Sequence, residues 1–352
     1  MGSTSVGKRL TTFQDHAGRR IRIMSGKYIS IFSMNHRQVR TGIGGMALHT
    51  FMQFIRLGRF PFLLSGFVPF LGGAFFALLR GADFSLDQFL LGYTAMAAAH
   101  LSVHYSNDYF DADADRLGEP TGISGGSGIL AQEPALKPYA KWTAIALMAF
   151  SILLGYLFLI IYEFPSYFLI FAIGGNLLGW YYTAPPLRLA YNNLGEVTNM
   201  ITFGLLMPGA GYFVAMGTLD LAFFAYSVPF FLYGLVFITS VEIPDREADV
   251  AGGKPTMIVR KGRAYGFRVI AVAAAAATLV ITLYAATDLF APINFWPVAA
   301  ISCIPLGVAL WGYSARCTER KCAMRYVTAN ITAYFLFTGL VALYFILLAI
   351  GI

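Results

Sequence analysis

Charge is scarce in this 352-residue chain: Asp, Glu, Lys and Arg together make up 12% of it, about half the share found in soluble domains. With a hydrophobic content of 57%, that excludes an ordinary water-soluble enzyme. Cysteine is scarcer still. Cys303, Cys317 and Cys322 are odd in number and follow no metal-binding spacing, which excludes a zinc site and a disulfide framework; three reduced, unpaired thiols are expected. The chain also lacks the long apolar core of a signal peptide before Arg59, so its first long apolar stretch is expected to persist as a membrane span.

Uncharged sequence is what the chain has in abundance. Nine runs of at least 19 residues contain no Asp, Glu, Lys or Arg: 60–79, 88–107, 142–162, 164–187, 197–219, 221–241, 269–287, 289–315 and 326–352. As a helix, each is long enough for a bilayer core of about 30 Å, whereas the strands of a membrane barrel alternate apolar with polar residues. The expected fold is all-α: a polytopic membrane protein, residues 55–352 forming a bundle of nine transmembrane helices around a central cavity. With the N-terminus in the cytoplasm, nine spans put 24 of the 25 Lys and Arg residues on that side and leave Arg80 alone opposite, a positive-inside pattern. The C-terminus then lies on the far side. Topology thus explains the net charge of +7 without nucleic acid, for which no basic face is visible. Residues 1–54 are basic and read as a disordered tail at the lipid surface, although an organellar targeting segment shares that composition.

Half of the acidity lies in two short windows. Five of the 18 acidic residues occupy positions 108–119 and four occupy 242–249. Each window begins where an apolar run ends, so both belong at the cytoplasmic membrane edge. On a helix, Asp108, Asp111 and Asp115 share a face about 60° wide, with Asn107 beside them and Asp113 pointing elsewhere. Glu242, Asp245 and Asp249 repeat the spacing. Two facing stripes of carboxylates repel in a partly dry site unless cations neutralise them. Mg²⁺ is the natural candidate, because it takes oxygen ligands and commonly bridges one or two carboxylates to substrate phosphates. A single DxxxD would be read more simply as a solvated helix end; two at equivalent topological places favour a site. Cations for the other side of a diphosphate are near: Lys254 in Gly252-Gly253-Lys254-Pro255-Thr256, Arg188 in Tyr181-Tyr182-Thr183-Ala184-Pro185-Pro186-Leu187-Arg188, and Arg56 and Arg59 before the first run.

At these residues the chain resembles the UbiA-type superfamily of intramembrane prenyltransferases. Asn107 to Asp115 matches that family's NDxxDxxxD pattern, Asp245 and Asp249 followed by Gly253-Lys254-Pro255-Thr256 is similar to its second DxxxD and GK-x-T segment, and Tyr182 to Arg188 is similar to its YSxPPxR loop with Thr for Ser. The resemblance implies that Asn107, Asp108, Asp111, Asp115, Asp245 and Asp249 hold Mg²⁺ and the diphosphate, and that Lys254 and Arg188 contact phosphate, with Tyr182 and Arg59 also binding substrate. Glu242 stands where an Asp is frequent. The stretch Arg116 to Gly128 lacks the NxPxRP continuation of the ubiquinone, haem and ether-lipid members, and it resembles the menaquinone-type branch, as does Tyr191-Asn192-Asn193-Leu194-Gly195-Glu196.

The implied activity is Mg²⁺-dependent transfer of a polyprenyl group from its allylic diphosphate to a hydrophobic, aromatic acceptor within the bilayer. A dry pocket among 31 Phe and 20 Tyr residues suits a prenyl cation that water would quench. His100 and His104, one turn apart on the face of Asp108, are candidates for acceptor contact or for plain interhelical packing, and the glycines at 122–128 for a cap or a flexible connection. Two other functions fit a polytopic chain. A secondary transporter could use Pro208-Gly209-Ala210-Gly211 as a helix break, but no run carries an ionisable Asp, Glu, Lys or Arg at mid-membrane. A membrane phosphotransferase acting on nucleotide-linked alcohols would gather its Asp residues into one motif.

Overall fold

The computed structural model describes residues 10–14, 20–24, 43–116 and 126–352. The chain divides into two compact units, residues 1–47 and 48–352. In the first, strands β1 (Leu10–Gln14) and β2 (Arg20–Met24) pair antiparallel, Leu10 opposite Met24 and Gln14 opposite Arg20. This hairpin and most of helix α1 (Ile43–Leu57) fall within residues 1–54. Within β2, Arg20-Ile21-Arg22-Ile23 alternates with the period of two that a half-buried strand shows. Most of the glycine-rich stretch considered as a cap lies outside the described residues.

The second unit is helical. After α1 come α2 (Leu63–Leu79), α3 (Leu86–Asp115), α4 (Ile129–Gln132), α5 (Lys137–Ile161), α6 (Ser166–Trp180), α7 (Gly195–Ile201), α8 (Met207–Met216), α9 (Leu221–Gly252), α10 (Met257–Lys261), α11 (Arg263–Ala286), α12 (Trp296–Ser314) and α13 (Arg320–Ala349). Each of the nine apolar runs has most of its length on one or two of these helices. Seven segments among the described residues are long and apolar enough to cross a membrane: Leu48–Leu79, Pro134–Ile161, Gly195–Met216, Leu221–Gly252, Arg263–Ala286, Trp296–Ser314 and Arg320–Ala349. By length and composition seven of the nine expected spans qualify, and the two runs that fall short do so for different reasons. Helix α6 has 15 residues and reaches only about 22 Å. Helix α3 has 30 but spends its length on His100, His104, Asn107 and the acids.

Helix ends are set by local chemistry. Ser85 caps α3 by accepting from Gln88 N–H, and Asp220 caps α9 by accepting from Phe223 N–H at 2.8 Å, which satisfies donors a helix start leaves open. Between α1 and α2 the chain turns at Arg59, whose φ of 48° lies in the left-handed region. Before Pro208 the α7–α8 segment takes five residues, Thr202–Leu206, in wider π-helical turns; the helix continues rather than breaking, so Pro208 makes no transporter-like discontinuity.

Aromatic residues fill the interior. Phe76 of α2 stacks on Tyr226 of α9 with ring centroids 4.2 Å apart, and Tyr233 meets Phe337 of α13 at 4.4 Å. Small residues let backbones approach: a Cβ on Gly73 would lie 1.9 Å from the Pro208 carbonyl oxygen, and one on Gly211 equally close to that of Phe70, so α2 and α8 cross in near-backbone contact. One expectation is overturned outside the bundle. Cys317 and Cys322 form a disulfide and only Cys303 is free. The turn into α13 folds back until the two Cα atoms are 5.7 Å apart, within bonding range, which residue counting alone does not reveal.

Candidate active site

Helix α3 carries the first acid stripe as its periodicity dictates. Asp108 and Asp111 are buried, Asp115 is half-buried, and all three line one cavity with Asn107. Asp113 faces outward, 79% exposed, within 4 Å of Arg116 and Lys137. Helix α9 contributes the second stripe: Glu242, Asp245 and Asp249 line the same cavity. The helices draw together at their C-terminal ends, where a Cβ on Gly252 would sit 3.1 Å from Cβ of Ala114. Residues 137 positions apart in the chain, Asp108 and Asp245, thus border one space.

The loop after α9 turns back over that space. Gly253, at φ 72°, ends the helix in the left-handed conformation that glycine adopts without strain, and the Lys254 N–H then bonds to the Asp249 carbonyl at 2.8 Å. This aims Lys254 across the cavity, where its Nζ donates to Asp111 Oδ2 at 2.6 Å. Asp111 also accepts from the Tyr191 hydroxyl at 2.8 Å. Burial works against the charge of Lys254, but Asp111, Tyr191 and Asp249 outweigh it and hold the ammonium above the usual lysine range. Burial pushes the Tyr191 hydroxyl up to about 12, with Lys254 opposing and Asp111 adding to the rise.

Asn107 accepts from Thr183 of the proline loop at 2.9 Å, and Asp108 accepts from both the backbone N–H and the hydroxyl of Ser127. The cavity has a volume of about 400 Å³. Carboxylates, Lys254, Tyr182 and Arg59 border it; elsewhere its walls are largely apolar, with Met96, Phe168, Phe171, Leu206 and Val214 among them, interrupted by polar side chains such as Ser151, Asn176 and Thr202. His100 and His104 also face it, rings 4.9 Å apart. Arg188 does not: its guanidinium lies over the Tyr191 ring, 4.0 Å from the centroid, one layer behind Asp111.

Residues 66–339 match the model of the UbiA prenyltransferase family. The chain belongs to that family. Among curated proteins, this UbiA-family chain is 32% identical over 110 residues to a 2-carboxy-1,4-naphthoquinone phytyltransferase from a Synechocystis strain, covering 31% of this chain and 34% of that one. It is 30% identical over 184 residues to a 1,4-dihydroxy-2-naphthoate octaprenyltransferase from Haemophilus influenzae, covering 49% and 58%. The matched stretches thus span about a third and under two thirds of those relatives. The fold is similar to that of a UbiA homologue from Archaeoglobus fulgidus bound to GPP and Mg²⁺, at 17% identity and a TM-score of 0.59, covering 82% of this chain and 99% of that one. The same homologue bound to DMAPP and Mg²⁺ gives 0.61 at 16% identity, covering 85% and 100%.

The donor set of this UbiA-family site suits a hard cation. Every candidate ligand offers oxygen, and Glu242 Oε2 is buried with no hydrogen-bond partner. Among the described residues no three acidic, His or Cys side chains converge tightly enough to cage an ion. That is the arrangement Mg²⁺ tolerates, since it keeps several waters and completes its shell with substrate phosphate. Motif reading did not single out Tyr191 by role, nor Ser127 or Thr183, whose partners lie 80, 19 and 76 residues away; for Tyr191 the one available signal was its place just after the proline loop.

Proposed function

We propose that the chain transfers a polyprenyl group from an allylic prenyl diphosphate to an aromatic, quinone-precursor-like acceptor in the membrane, releasing diphosphate. The observation that carries this reading is the convergence of two acid stripes and Lys254 on one cavity whose remaining walls are largely apolar. The names of the two curated relatives point to naphthoate-type acceptors, and the archaeal homologue binds GPP or DMAPP with Mg²⁺. Asn107, Asp108, Asp111, Asp115, Asp245 and Asp249 would hold Mg²⁺, which supplies neutralisation of charge building on the departing diphosphate.

Lys254 donates hydrogen bonds to the diphosphate oxygens, and Arg59 presents a second cation on the cavity wall. The allylic C–O bond breaks with its electron pair leaving on diphosphate. Apolar walls exclude the water that would capture the prenyl cation, the acceptor ring forms the new C–C bond, and its ring proton is lost. The nine helical runs are then nine crossings, with the acid stripes and N-terminus on the cytoplasmic side and the C-terminus opposite. Incubating purified protein with prenyl diphosphates of several lengths and a panel of dihydroxynaphthoate- and hydroxybenzoate-type acceptors, with Mg²⁺ or with EDTA, tests the reading by product mass. A prenylated product formed only with Mg²⁺ is expected; no product from any pair would overturn it.

A further inference from the structure

Glu196 sits where two cation-bearing loops meet. It is the second residue of α7, directly after the proline loop, and only 8% exposed. Its Oε1 accepts the backbone N–H of Met257 at 2.6 Å. Met257 is the first residue of α10, immediately after Gly253-Lys254-Pro255-Thr256. The first N–H groups of a helix have no partner within it. Here the Thr256 hydroxyl takes that of Val259 and the Glu196 carboxylate takes that of Met257. One turn further along α7, Asn199 donates to the Tyr182 hydroxyl at 3.2 Å. The two loops then share Tyr191, whose ring has the Arg188 guanidinium at 4.0 Å and the Lys254 ammonium at 5.3 Å.

We propose that Glu196 is a positioning residue for the diphosphate-binding cations: its hydrogen bond to Met257 fixes the loop that holds Lys254 opposite Asp111 and beside Arg188. The proposal rests on the prenyl-transfer reading above. Glu196 does not border the cavity and acts through the loop that carries Lys254. Its donor is a neutral amide, so an acceptor atom at Oε1 is what this hydrogen bond needs.

Glu196→Gln keeps a carbonyl oxygen there, whereas Glu196→Ala leaves the Met257 N–H unpaired. Glu196→Ala is expected to raise KM for the prenyl diphosphate about tenfold, the scale of one lost hydrogen bond, with the acceptor KM and kcat changed about twofold or less; Glu196→Gln behaves as wild type. Met257→Pro removes the donor from the other side. Proline is favoured at the first position of a helix, and Thr256, at φ −59° and ψ 161°, already has the extended backbone that precedes it. This variant is expected to raise the same KM, and the double variant to add little to either single one. An unchanged prenyl diphosphate KM in Glu196→Ala, or a Glu196→Gln as impaired as Glu196→Ala, overturns the proposal. If Glu196→Ala does not purify, an unchanged KM in Met257→Pro does so alone. Geranyl diphosphate Kd, measured by titration calorimetry with Mg²⁺ on the same proteins, is expected to shift in parallel. Absence of wild-type turnover would sink the activity reading and leave that Kd comparison to decide this one.

Discussion

Asp111 is the residue on which the site's electrostatics turn, because it receives Lys254 on one oxygen and Tyr191 on the other. Asp111→Asn keeps its size but removes the charge both donors are arranged around, and should lower kcat/KM by about 10²–10³-fold with normal insertion and purification; a variant retaining most activity would falsify the assignment of this carboxylate. The pH dependence follows from the same contacts. Lys254 is held above the usual lysine range, so its pairing with Asp111 is fully present below the ordinary lysine pKa and is lost only as pH rises through the elevated one. Tyr191, pushed up to about 12, also keeps its proton. Between about pH 7 and 10 neither group should impose an alkaline fall on kcat/KM, and the profiles of wild type and Tyr191→Phe should have the same shape, whatever their heights. Of this site, the acid stripes were legible in the sequence because i, i+3, i+7 spacing is a property of one helix. Tyr191, Ser127 and Glu196 were not, since each finds its partner across the fold, where no periodicity reports. For Arg188 the motif suggests phosphate contact, and the fold adds what the motif does not carry, the seat of its guanidinium over the Tyr191 ring.

At the scale of elements, the crossing of α2 and α8 depends on glycine. Lipid supplies no hydrophobic drive between helices, so close packing has to supply the attraction. At Gly211 an added methyl would land 1.9 Å from a backbone oxygen, which cannot rotate away; Gly174 of α6 has nothing within 4 Å of the same position. Gly211→Ala should therefore destabilise by about 1–3 kcal/mol, the usual cost of overpacking. Gly174→Ala should be neutral or gain up to about 1 kcal/mol from reduced backbone entropy. Thermal midpoints of the two variants in detergent check the contrast, and equal midpoints would remove the packing argument. Long apolar runs made the helices readable before the fold was known. Two of them sit on helices that fall short of a full apolar span: α3, whose polar face serves the cavity, and α6, whose helix stops at Trp180. The Cys317–Cys322 bond depends on a turn geometry that composition does not encode.

On the proposed reading, the whole molecule brings a water-soluble diphosphate and ions to the same place as a prenyl chain dissolved in the bilayer. Only the membrane edge offers both, so the side on which the acid stripes lie is a functional property as much as a topological one. If all nine runs cross, 24 of the 25 basic residues fall on that side and Arg80 alone lies opposite, a pattern that favours the cytoplasmic face. Single cysteines at exposed loop positions, in a variant without native cysteines, test this. Asp83→Cys and Thr287→Cys should react with a membrane-impermeant maleimide in intact cells, whereas Lys261→Cys and Glu319→Cys should react only after permeabilisation. Position 83 follows the first apolar run, 287 ends the seventh, and 261 and 319 follow the sixth and eighth, so the labels also report whether the number of intervening crossings is odd. If one of α3 and α6 alone failed to cross, the two groups would no longer separate by side. Labelling of Lys261→Cys from outside would put the diphosphate end of the cavity on the wrong face for its substrate.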